Sequence, residues 1–106
     1  MNETALQEIL DQLIAPVRMA GAAIMDIHAS GVVANAKADG SPVTAADQAA
    51  EDILLAALAD IAGDIAVVSE ENAASHRLAP PERFFLVDPL DGTKEFLRPD
   101  GQGAFT

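Results

Sequence analysis

The sequence predicts an α+β fold in which two long helices pack on a partial sheet. Three observations lead there. Apolar residues recur at helical spacing in two long stretches, while two short runs rich in Val, Ile and Phe have the length and flanks of strands. No internal repeat or low-complexity tract interrupts the order.

The first helix spans Thr4 to about His28. Leu6, Ile9, Leu10, Leu13, Ile14, Val17, Ile24 and Ile27 form one continuous apolar face, with Met19 and Met25 on or beside it as core filler. Pro16 lacks an N–H and crowds the preceding turn, which predicts a kink or a break near Ala15. Ser30-Gly31 ends the helix, and Val32-Val33 starts an extended segment.

Gly40, Ser41 and Pro42 form a loop. Thr44, with Asp47 three residues on, makes a variant capping box and places the start of the second helix at Ala45. Ala46, Ala50, Ile53, Leu54, Ala57, Leu58 and Ile61 share one face of it, and Gly63 supplies the stop. "IAVVSEEN" and "RFFLVDPL" read as buried strands, and Asn72 to Glu82, with Pro80-Pro81, as an exposed loop between them. Thr93 to Leu97 reads as a short helix, after which "GQGAFT" has the look of a strand beginning.

Composition narrows the function. The 106 residues are enough for one domain, and 22 alanines hold down the apolar surface per residue. No apolar run nears the roughly 18 residues of a membrane span, and no leader of the secretory kind is present, so no integral membrane segment is expected. A formal charge of −11 with only six Lys and Arg excludes a nucleic-acid polymer as partner. The absence of cysteine excludes disulfides and thiolate chemistry and fits a reducing, cytoplasmic setting. Acidic chains still bind phosphate through a cation, and hard oxygen ligands are abundant here.

The two strands both end in acids, Glu70-Glu71 and Asp88 with Asp91. If they finish at the same sheet edge, mutual repulsion calls for a divalent cation, with Mg2+ the natural candidate. Pro89 lets the chain turn while the Leu90 carbonyl points at the same cation. Gly92 permits a close approach by a ligand, and the N–H groups at Thr93 favour an anion. Taken singly, Asp-Gly-Thr is an ordinary turn, strand-end acids are solvated, and Thr44 with Asp47 is a helix cap; the joint pattern points to a seat for metal-bound phosphate. His28 and His76 lack partners at metal spacing and read as structural or solvated. Lys94 and Arg98 could steer an anion, and an exposed helical face explains them equally well.

"KADGSPVTAAD", "VSEEN" and "DPLDGTKEF", in that order, resemble the magnesium-dependent, lithium-sensitive phosphomonoesterases of the inositol monophosphatase superfamily. Leu90 and Lys94-Glu95 look more like the 3'(2'),5'-bisphosphate nucleotidase branch than the inositol branch. The resemblance implies a layered α/β sandwich of the inositol monophosphatase (sugar phosphatase) type, truncated to two long helices on a partial mixed or antiparallel sheet. Residues 1–106 would be the amino-terminal portion of a single phosphatase domain, with the carboxy-terminal half, its Trp-Asp-x-Ala motif included, absent.

The resemblance also implies roles. Glu70, Asp88, Asp91 and the Leu90 carbonyl would hold Mg2+; Glu70, Leu90, Asp91, Gly92 and Thr93 would meet substrate; Asp47 with Thr93 would orient and deprotonate the attacking water. Lys37, Asp39 and Glu71 lie within the motifs without an assigned step. The implied reaction releases the 3'-phosphate of adenosine 3',5'-bisphosphate as a small-molecule substrate, giving AMP, with the fragment inactive on its own. An inositol monophosphatase is the near alternative. The distant one is a non-catalytic metal-binding or partner-binding fragment, homodimer included, built on the Ala-rich helices.

Overall fold

The computed structural model describes residues 2–31, 34–36, 42–70 and 82–106. Val32-Val33, Lys37, Asp39, Gly40, Ser41, Glu71, His76, Pro80-Pro81 and most of the expected loop at 72–82 lie outside them. Along the chain come α1 (Glu3–Ser30), β1 (Ala34–Ala36), β2 (Pro42–Thr44), α2 (Ala45–Ala62), β3 (Ala66–Ser69), β4 (Phe84–Val87) and α3 (Thr93–Phe96).

Asn2 opens α1, its side-chain oxygen accepting from the Ala5 N–H at 2.8 Å. The helix runs without a break through Pro16, so of the expected kink or break the break does not occur. A proline removes one N–H from a 28-residue ladder, and the extensive packing of α1 on α2 offsets that loss. The apolar face also divides. Ile9, Ala20 and Ile24 are buried, whereas Leu6, Leu10, Ile14 and Val17 are exposed, as are Met19 and Met25, which are therefore not core filler. At about 1.5 Å per residue α1 is about 42 Å long and α2 about 27 Å, so one neighbour covers only part of the longer helix.

The capping box of α2 forms as expected. Thr44 Oγ1 accepts from the N–H groups of Ala46 and Asp47 at 3.1 and 3.3 Å, and Asp47 Oδ2 accepts from the Thr44 N–H at 2.8 Å. Pro42, expected in a loop, belongs to β2, which pairs antiparallel with β1. Gly63 follows the last turn with right-handed backbone; a side chain there would sit 2.6 Å from the Ala59 carbonyl oxygen, so space rather than φ demands glycine.

β3 and β4 pair in parallel, Ala66 opposite Phe84 through Ser69 opposite Val87. They are less buried than expected: Leu86 is 75% exposed and Phe84 is exposed too, both on β4, whereas the packing of α2 falls chiefly on β3. The main core joins Ala20 and Ile24 of α1, Ala46 and Ala50 of α2, and Leu90 and Phe96 from the segment after β4. Leu90 and Phe96, 2% and 1% exposed, plug that segment into the helix pair.

Candidate metal and phosphate site

Register builds the site. Ser69 and Val87 are opposite each other at the ends of β3 and β4, and the next residue on each strand is an acid. The Glu70 N–H donates to the Val87 carbonyl at 2.9 Å, which carries the pairing one step past the strands. Glu70 and Asp88 thus emerge side by side from one sheet edge. Although much of Asp88 meets solvent, its carboxyl is pushed up from 3.8 to about 6. Packing around it is the largest cause, followed by a hydrogen bond shared with Glu70 and the negative charges of Glu70 and Asp91, against a lowering hydrogen bond from the Leu90 backbone. Asp88 therefore feels both Glu70 and Asp91.

Asp91 is held by the chain that follows. Its N–H donates to the Thr106 carbonyl at 2.7 Å, and the Thr106 N–H donates back at 3.0 Å. Gly92 adopts φ +85°, and a side chain there would meet the Ala104 carbonyl oxygen at 3.2 Å and Phe105 at 3.3 Å. The close approach that its glycine serves in this structure is that of residues 104–105. Phe105 packs edge-on against Phe96 with centroids 4.9 Å apart, and His28 lies 5.1 Å from each ring, an aromatic setting that fits the structural role expected of it. The expected final strand is absent among the described residues; Thr106 contributes only its bridge to Asp91.

Asp47 is fully buried in the first turn of α2. Its Oδ2 accepts from both the backbone and the hydroxyl of Thr44, while its Oδ1 is buried with no hydrogen-bond partner among the described residues. A buried carboxylate oxygen without a donor is costly. Its helix neighbours Ala46 and Ala50 share a cluster with Leu90 and Phe96, and α3, starting at Thr93, lies against β2. Asp47 and the 88–93 segment consequently occupy the same side of the fold.

Glu51, one turn beyond Asp47, was not anticipated. It is buried and accepts through Oε1 a short hydrogen bond from the Ser69 hydroxyl. A glutamate in line with Asp47, Leu54 and Leu58, at the border of the apolar face, is the signal that could have found it.

Hard oxygens are the right donors for Mg2+, and the negative charges of Glu70 and Asp91 acting on Asp88, with an Asp47 Oδ1 that has no hydrogen-bond partner among the described residues, fit a cation. Among the described residues, no three His, Asp or Glu side chains stand close enough together to enclose one. No helix among them is long and apolar enough to cross a membrane.

Residues 5–104 match the inositol monophosphatase family. The chain is 43% identical over 97 residues to the 3'(2'),5'-bisphosphate nucleotidase CysQ of Shigella flexneri, covering 89% of this chain and 39% of that protein. It is 41% identical to the CysQ of Escherichia coli strain K12 over the same shares, and 36% identical to that of Buchnera aphidicola over 91% of this chain and 37% of that one. The chain thus spans about two-fifths of the curated relatives it matches. Among solved structures, the extragenic suppressor protein suhB from Bartonella henselae superposes with a TM-score of 0.70 over 92% of this chain and 37% of that one, at 23% identity, a likeness of fold.

Proposed function

The chain belongs to the inositol monophosphatase family, and from that premise we propose that it supplies the amino-terminal portion of a Mg2+-dependent phosphatase domain that releases the 3'-phosphate of adenosine 3',5'-bisphosphate. The observation that carries the proposal is the emergence of Glu70 and Asp88 in step from two parallel strands, with Asp91 close enough to raise Asp88 further. The nucleotide substrate, rather than an inositol phosphate, is favoured by the 41–43% identity to CysQ proteins.

Glu70, Asp88, Asp91 and the Leu90 carbonyl would hold Mg2+. When bound, the cation offsets the phosphate charge and lowers the pKa of water. Gly92 and Thr93 would bind phosphate oxygens through N–H groups and the Thr93 hydroxyl. Asp47, its Oδ2 fixed by Thr44, presents Oδ1 as the acceptor for a proton of the attacking water, with Thr93 orienting that water. Attack is in line on the phosphorus, the ester oxygen leaves, and catalysis rests on position and charge.

The test is phosphate release from adenosine 3',5'-bisphosphate with Mg2+, by this chain and by a chimera in which the remainder of a CysQ relative follows Thr106. The chimera should turn over and the isolated chain should not. Asp47→Asn and Asp91→Asn in the chimera should each lower kcat by about 100-fold or more with the fold retained. Unchanged rates in those variants, or a preference for inositol phosphate, would refute the reading.

A further inference from the structure

Helix α2 buries two carboxylates one turn apart, Asp47 at 0% and Glu51 at 3% exposure. Asp47 is tied to its own helix cap, but Glu51 reaches across to another element. Ser69, the last residue of β3 and itself fully buried, donates its hydroxyl to Glu51 Oε1. Ser69 immediately precedes Glu70, and its strand partner Val87 immediately precedes Asp88. The bond therefore links the helix that carries Asp47 to the sheet edge that carries Glu70 and Asp88, within one residue of the first acid and one turn of the buried one.

Stability alone explains the arrangement poorly. A buried carboxylate loses hydration that one hydroxyl restores only in part, and apolar residues of similar volume commonly serve a core as well or better. The apolar pocket beside it shows the alternative: Leu55, Leu58, Ile65 and Val67 line a cavity of about 250 Å³ between α2 and β3, with Ser69 at its polar end. The side-chain hydrogen bond from β3 to α2, Ser69 to Glu51, lies at the end nearest the acids.

We propose that Glu51 is a positioning residue, which through Ser69 fixes the end of β3 relative to α2 and so sets the geometry in which Glu70 and Asp88 take up a divalent cation. The inference rests on the metal site of the proposed function. Partners that orient metal-binding carboxylates typically contribute 10- to 100-fold in affinity, and a linked pair acts as one unit.

Mn2+ titrated into this chain, with the free-ion EPR signal as readout, tests both layers. Glu51→Ala and Ser69→Ala should each weaken Mn2+ binding by about tenfold, and the double variant no further than the worse single one. Glu51→Gln, which keeps an oxygen to accept from Ser69, should recover most of the affinity. Circular dichroism and urea unfolding accompany each variant, and Ser69→Ala, which removes a single oxygen atom, covers the case in which Glu51→Ala fails to fold. If the unaltered chain binds Mn2+ and the folded Ser69→Ala variant binds it equally well, the positioning role is refuted while the metal site stands. If the unaltered chain does not bind Mn2+, the metal site falls and this inference with it.

Discussion

Helices α1 and α2 invert the usual rule of burial. α2 hides two carboxylates, whereas α1 leaves a row of aliphatic side chains, Leu10 49% and Val17 55% exposed among them, in solvent. The difference lies in what each meets. The first turns of α2 are packed by α1, by Leu90 and Phe96, and by the end of β3, so whatever sits there is enclosed. On the outer flank of α1, Leu10, Ile14 and Val17 stay about half exposed, and Leu6 borders an open hollow with Phe84 and Phe85 of β4. Burial on this scaffold follows position, and the acids of α2 remain inside at an energetic cost, which points to chemistry rather than to stability.

The sharpest way to break that contrast is to empty the enclosed side. Phe96→Ala should destabilise the chain by about 3–5 kcal/mol in urea unfolding, because the ring is almost completely buried and joins Ile24, Leu90 and the helix alanines to Phe105 and His28, so its loss leaves a cavity at the centre of the cluster. A cost under about 1 kcal/mol would mean that the 88–96 segment is only loosely docked.

Protons give the second handle. Asp88 holds its proton in the folded chain up to about 6 against 3.8 ordinarily, so between those values the folded state binds the extra proton. Its contribution to stability is complete below 3.8 and is lost as pH rises through about 6. The urea midpoint of the cation-free chain should therefore fall between pH 4 and pH 7 relative to that of Asp88→Asn, in which this titration is missing, and Mg2+ should offset the fall at pH 7. Identical pH profiles for the two chains would contradict the crowding of acids at the sheet edge.

The smallest effect is expected on α1. Leu10→Lys and Val17→Lys should each change stability by no more than about 0.5 kcal/mol, as solvent-exposed positions do. A loss well above that in a monomeric sample would show the flank to be covered.

Local signals were the ones the sequence carried clearly. Thr44 and Asp47 are three residues apart, and their mutual capping needs nothing beyond the helix they start. The strands, too, could be read from their side chains, and the acids from following them directly. Which flank of α1 is covered depends on the length and angle of α2, a tertiary matter, so Met19 and Met25 were placed wrongly. Glu51 was missed for a similar reason, since its partner lies 18 residues away and only the packing of β3 on α2 brings them together. The enzymatic roles came from resemblance, because Asp-Gly-Thr by itself is indistinguishable from a turn.

Parallel pairing of β3 and β4 has a consequence for what the chain can tolerate. No hairpin couples these strands, and the pairing of facing residues sets their alignment. One residue inserted within Phe84–Val87 would slide Asp88 along by about 3.3 Å and turn it to the other side of the sheet. The spacing that sets the two acids side by side is counted inside the strands.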